Sequence, residues 1–221
     1  MAAIWCPGLD AEMQKCINSI LSQPLWGVTR YYEGYMKELH FVDKAEKLYI
    51  ICHGHALLPL FTTTVRSWTA AEMAELIERD QLSKEHQVIE LLVCHAGESI
   101  TSVSNSKERF KIRDQALALK KAGKTAEFEA MQNKFKAIEK DYRAFEARAS
   151  AKSDEQLLPM SAQLINELKN RGYKNMRIIS YGAAIAQYFY EGTVKLDLAG
   201  RNGGRWGEDA SKHPGLKSTW L

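Results

Sequence analysis

Three stretches of the chain are predominantly apolar, the first of them without interruption. Leu48-Tyr49-Ile50-Ile51-Cys52 is the first, Val88 to Val93 the second and Met176 to Ser180 the third. A strand with one wet face alternates polar and apolar residues. An unbroken run instead predicts a strand covered on both faces, as in a parallel sheet. Each run ends at a small or polar break: His53-Gly54, Cys94-His95-Ala96-Gly97 and Tyr181-Gly182. Between the runs the period changes to that of a helix. Thr69 and Glu72 have capping-box spacing ahead of the stripe Met73, Leu76 and Ile77. Ser161 to Arg171 carries Leu164, Ile165 and Leu168 on one face, and Gly172 stops it as a C′ glycine. The alternation of strand and helix predicts an α/β domain with a mostly parallel sheet flanked by helices.

The remaining segments read differently. Ala11 to Leu21 predicts a short amphipathic helix, and Trp26 to Tyr35 fits strand or loop. The tail after Leu198 is rich in Gly and charge and reads as loop, including the cluster from Arg201 to Arg205. Between Lys107 and Ala149 lies an insertion with its own pattern. Phe128, Met131, Phe135, Ile138, Tyr142 and Phe145 follow the alternating three-and-four spacing of an a/d seam. A weaker stripe (Ile112, Ala116, Leu119) precedes Gly123. Residues 107–149 therefore predict a helical hairpin inserted into a single domain spanning 1–221.

Composition narrows the picture only a little. The chain has 221 residues, enough for one large domain with a real core. No apolar run reaches the roughly 18–20 residues of a membrane helix, and residues 1–10 lack the pattern of a signal peptide. Four cysteines in a chain of this length do not read as a disulfide framework. A cytosolic working place is expected, either native or reached by a secretion route without a leader. The net charge of +3 is unevenly placed. The insertion holds twelve Lys/Arg against seven Asp/Glu, and the rest holds eighteen against twenty. The basic bias belongs to one segment, which argues against a general nucleic-acid binder.

The chemistry gathers where the apolar runs end. His53 closes the first run and Cys94 follows the second. In a parallel sheet both carboxyl ends open on one edge, where α/β domains build their sites. One crossover unit separates the two, so their strands are neighbours or next neighbours. An imidazole near a thiol is what a cysteine nucleophile requires. Gly54 lets the backbone approach a substrate, and the N–H groups of Gly54 and Cys94 suit an oxyanion hole. His55, His95, Glu98, Tyr181 and Gly182 are candidates for lining the substrate cleft; Glu98 equally suits a turn cap. Cys52 points away from His53 and reads as core. Cys52, His53, His55, Cys94 and His95 are zinc-type ligands, but no CxxC or HExxH spacing appears. Neither a metal nor a cofactor is expected.

A hydrophobic block followed by His-Gly, then a second followed by Cys, resembles the caspase-like (clan CD) cysteine peptidases. The matching residues are Leu48 to Gly54 and Val88 to Cys94. The later stretch, Ser161 to Leu168, then Arg171-Gly172-Tyr173 and the strand to Gly182, looks most like the bacterial toxin-associated branch. The resemblance spans roughly Lys47 to Ala183 without the insertion. It implies a caspase-like fold and a cysteine endopeptidase, with Cys94 as nucleophile and His53 as acid or base. It needs no third catalytic side chain. A bacterial toxin, effector or immune protease acting on a protein target is the implied setting. Toxin relatives are switched on by inositol hexakisphosphate, so the basic insertion suits an anionic activator or a docking partner. Val93 departs from the family, since caspases carry Ala before the nucleophile. The rival expectation is a non-catalytic caspase-like scaffold that docks partners through the hairpin.

Overall fold

The computed structural model describes residues 1–54, 59–64, 66–94, 96, 115, 118–133, 158–182, 184–185, 194–197, 206–212 and 214–221. The chain divides into two compact units. One comprises Met1–His55, Pro59–Glu98 and Pro159–Leu221; the other comprises Ala56–Leu58 and Ser99–Leu158.

In the first unit the strands are β1 (Ala2–Cys6), β2 (Val28–Glu33), β3 (Lys47–Ile51), β4 (His53–Gly54), β5 (Phe61–Thr62) and β6 (Ser67–Trp68). They continue as β7 (Val88–Leu92), β8 (Arg177–Tyr181), β9 (Ala184–Ile185), β10 (Lys195–Asp197), β11 (Trp206–Asp209) and β12 (Lys217–Trp220). Helices α1 (Ala11–Leu21), α2 (Ala70–Arg79) and α3 (Met160–Asn170) accompany them. A six-stranded sheet has the order β12-β8-β7-β3-β1-β2. Its pairings are parallel except that β12 runs antiparallel to β8. The domain is therefore α/β with a mostly parallel sheet, and β3 and β7, the strands that precede His53 and Cys94, are direct neighbours.

The unbroken apolar runs have the expected cause. Leu48 and Ile50 of β3 pack into one core with Met73 and Ile77 of α2 and Leu164 and Leu168 of α3. Tyr49 and Ile51, on the other face, pack with Met13, Ile17 and Ile20 of α1. Each such side chain contributes about 1.5–3 kcal/mol by leaving water. Glu90 breaks the run in β7 and is buried. Its carboxylate accepts from Lys47 Nζ at 2.8 Å and from the Tyr181 hydroxyl at 2.5 Å. These partners on β3 and β8 offset the large cost of a buried charge.

The helix ends also follow the sequence. Thr69 and Glu72 form both bonds of the capping box. Gly172 has φ +94°, and the N–H groups of Gly172 and Tyr173 donate to the Lys169 and Leu168 carbonyls. That is a Schellman ending, whose left-handed residue favours glycine.

The segment before α1, where the sequence pattern sets no element, is a strand, β1, buried at every residue. The tail is not loop throughout, because β11 and β12 form within it. β12 pairs along β8, from Lys217 opposite Tyr181 to Trp220 opposite Ile178.

In the second unit, residues 118–121 and 125–133 are helical, with a turn at Ala122–Gly123. Gly123 has φ +70° and ends the first stretch as Gly172 ends α3. Leu119, Phe128 and Met131 are half-buried while their neighbours are exposed. Seam positions Phe135, Ile138, Tyr142 and Phe145 lie outside the described residues. Among the described residues, no helix is long and apolar enough to cross a membrane.

Candidate active site

Strands β1, β3 and β7 lie side by side, with Trp5 opposite Ile50 and Ile51 opposite Leu92. Their carboxyl ends therefore sit at nearly the same level on one edge of the sheet. Asp10 follows β1, His53 follows β3 and Cys94 follows β7.

Asp10 is the N-cap of α1. Its Oδ1 accepts from the N–H groups of Glu12 (3.0 Å) and Met13 (2.9 Å). Its Oδ2 lies 3.0 Å from His53 Nε2. Glu12 Oε2 lies 3.6 Å from the same nitrogen. An ionised carboxylate only accepts, so Nε2 carries the hydrogen of this contact. Burial alone would raise the Asp10 carboxyl. The Met13 N–H, His53 and the Glu12 N–H outweigh it and hold the group below its ordinary value of 3.8. The Asp10 side chain is 6% exposed and that of His53 27%, so the pair is sheltered while the imidazole keeps an open side.

A small antiparallel sheet fixes the histidine. In β4, His53 pairs with Thr62 and Gly54 with Phe61 of β5, and β5 pairs with β6. Phe61 and Trp68 are buried and anchor this sheet to the core. Gly54 is needed for a steric reason. A Cβ there would lie 1.7 Å from the Cys94 carbonyl oxygen and 2.8 Å from its carbon. The backbone of the His53-Gly54 strand thus abuts the main chain of the proposed nucleophile.

Cys94 is partly exposed, in a turn that starts at buried Val93. The Ala96 N–H donates back to the Val93 carbonyl at 3.4 Å. No disulfide joins the four cysteines, and Cys6, Cys16 and Cys52 are buried. Burial pushes the Cys6 thiol up to about 12 and the Cys16 thiol up to about 11. It pushes Cys52 well above the usual range. At these three, burial disfavours the thiolate, which is the reactive form.

The lining candidates divide. His55, His95 and Glu98 lie outside the described residues. Tyr181 does not line an open cleft: it is 2% exposed and its hydroxyl donates to Glu90 inside the sheet. Gly182 is half-buried, and its N–H donates to the Leu216 carbonyl at 2.7 Å. Asp10 is the residue that the sequence pattern does not single out. Its signal was an Asp directly ahead of an amphipathic helix, which reads as a cap and nothing more. Among the described residues, no three His, Cys, Asp or Glu side chains gather as a metal-holding group. No protein-family model matches the chain. Comparison with curated proteins likewise finds no match.

Proposed function

We propose that the chain is a caspase-like cysteine endopeptidase. The observation that supports it is the alignment of Asp10, His53 and Cys94 behind three adjacent parallel strands, with Gly54 seated on the Cys94 main chain. In this reading Cys94 Sγ attacks the peptide carbonyl and its proton passes to His53 Nδ1. Asp10 holds Nε2–H, which fixes the ring and its tautomer. The N–H groups of Gly54 and Cys94 face the developing oxyanion. His53 then protonates the leaving amine, and water releases the acyl group as an acid.

The test joins labelling to cleavage. Iodoacetamide at neutral pH should modify Cys94 in the folded protein and leave Cys6, Cys16 and Cys52 unmodified until denaturation. Loss of cleavage of a mixed peptide library should track Cys94 labelling one to one. Cleavage that persists after complete Cys94 labelling would overturn the assignment.

We assign docking of the protein target to the basic insertion, read as a helical hairpin. The turn at Gly123 and the half-buried Leu119, Phe128 and Met131 support it, together with the local charge excess. Replacing residues 111–143 by a short Gly/Ser linker should leave small-peptide hydrolysis within about tenfold, or 1.4 kcal/mol of barrier. Cleavage of the target, identified by comparing proteomes treated with the intact protein and with Cys94→Ala, should weaken far more. If small-peptide cleavage dies in a folded deletion variant, the insertion belongs to the catalytic machinery or its switch. The scaffold reading would instead be favoured by a Cys94 no more reactive than the buried thiols.

A further inference from the structure

A continuous line of hydrogen bonds runs behind the nucleophile turn. Trp220 Nε1 donates to Ser180 Oγ at 3.1 Å. Ser180 Oγ donates to Ser161 Oγ at 2.9 Å, and Ser161 Oγ donates to the Ala96 carbonyl at 2.8 Å. The Ser161 N–H donates to that same carbonyl at 3.1 Å. Ser161 and Ser180 are wholly buried. The line joins β12, β8, the first turn of α3 and the turn that carries Cys94.

Local structure does not account for a buried serine here. No side chain caps the N-terminus of α3, so Ser161 is not used that way. Its hydroxyl is spent on Ala96, whose own N–H closes the turn onto Val93. With two donors the Ala96 carbonyl is fixed in direction; with the backbone donor alone it can pivot. In a dry interior successive hydroxyls also polarise one another, so each bond is strengthened by the one behind it.

We propose that Ser161, backed by Ser180 and Trp220, is a positioning residue for Cys94. It holds the Ala96 carbonyl, and through the 93–96 turn it sets where the thiol and the Cys94 N–H stand relative to His53 and Gly54. Its kinetic consequence rests on the peptidase reading; its effect on thiol reactivity does not. The C-terminal strand thereby becomes a support of the active site from the far end of the chain.

The experiment uses the full chain with Ser161→Ala, Ser180→Ala and Trp220→Phe, well below the melting temperature of each. For Ser161→Ala, kcat should fall about tenfold while KM stays within about twofold, the pattern of lost transition-state alignment. The rate of Cys94 alkylation by iodoacetamide should fall by about threefold or more, since an ill-set thiol is less well served by His53. Ser180→Ala and Trp220→Phe should show smaller losses in the same direction. A purely structural serine would lower the melting temperature and leave both rates alone, and that result overturns the proposal. If Ser161→Ala does not fold, Trp220→Phe decides, because it keeps an aromatic side chain at the position while removing the indole N–H and part of the ring's bulk. Unchanged kcat and alkylation in that variant overturn the proposal. If the unmodified protein cleaves no peptide, the peptidase reading fails by itself. Slower Cys94 alkylation in the variants then still supports the positioning role, and unchanged alkylation overturns it.

Discussion

Alanine at position 94 is expected to leave a folded protein with no measurable peptidase activity. The change removes one sulfur from a partly exposed turn, so stability should barely move, while the attacking atom is gone. His53→Ala should lower the rate by about 10²–10⁴, the range for loss of a general acid–base group. Asp10→Asn should rank last, at about tenfold, or 1.4 kcal/mol of barrier. Asn caps a helix as well as Asp does, so that variant separates the carboxylate's effect on His53 from its effect on α1. The pH dependence has a definite sign. The folded-state value of Asp10 lies below 3.8. Its contribution to stability is present above that pH and is lost as pH falls through the lower folded value. Asp10→Asn should flatten that acid limb in thermal melts recorded against pH. Steady-state rates on the three purified variants check the ranking. An active Cys94→Ala protein sinks the mechanism, and an Asp10 effect larger than that of His53 sinks the assigned order of roles.

Gly54→Ala should be nearly as damaging as the loss of His53, although it removes no functional group. The new methyl carbon would need space held by the Cys94 carbonyl, 1.7 Å away. Both sides of the clash are main chain, so no flexible side chain can give way. Either the β4–β5 pair or the Cys94 turn must shift by about 1 Å or more, and a misplacement of that size costs about 10²-fold in rate. The expected stability loss is about 1–3 kcal/mol, typical of overpacking, so the protein should still fold. Rates and melts on the one variant check both halves. A Gly54→Ala variant within a few-fold of the parent would show that the two strand ends do not meet as described.

Much of the architecture was legible because two-sided burial leaves a plain mark. β3, β7 and β8 could be read from runs that do not alternate, and α2 and α3 from their caps and stripes. β1 was not, although Ala2-Ala3-Ile4-Trp5-Cys6 is just as apolar. Only Ile4 and Trp5 of its five residues are strong β-formers, since alanine is depleted in strands. β12 was hidden for the opposite reason. It is an edge strand with exposed Lys217 and Thr219, and only pairing to β8 makes it a strand. At the site, His53, Gly54 and Cys94 could be proposed from strand ends alone. Asp10 could not, because its partner is 43 residues away and its local role already explains it. Missing β1 also removed the strand that carries Asp10 to the same edge. Tyr181 reads as a cleft residue because it follows an apolar run, whereas β8 extends through it and buries it.

The buried Glu90 has a consequence for folding fidelity. Parallel strands of Ile, Leu and Val offer few differences between one alignment and the next, and a slide by one residue still places apolar groups against apolar groups. Side chains alternate faces, however, so the same slide of β7 would turn Glu90 away from Lys47 and Tyr181 and into the opposite core. An ion stranded there costs several kcal/mol. One carboxylate thus acts as a lock on alignment. Because β3 and β7 each end two residues before a candidate site residue, the same lock keeps the imidazole and the thiol at matching heights when the sheet assembles.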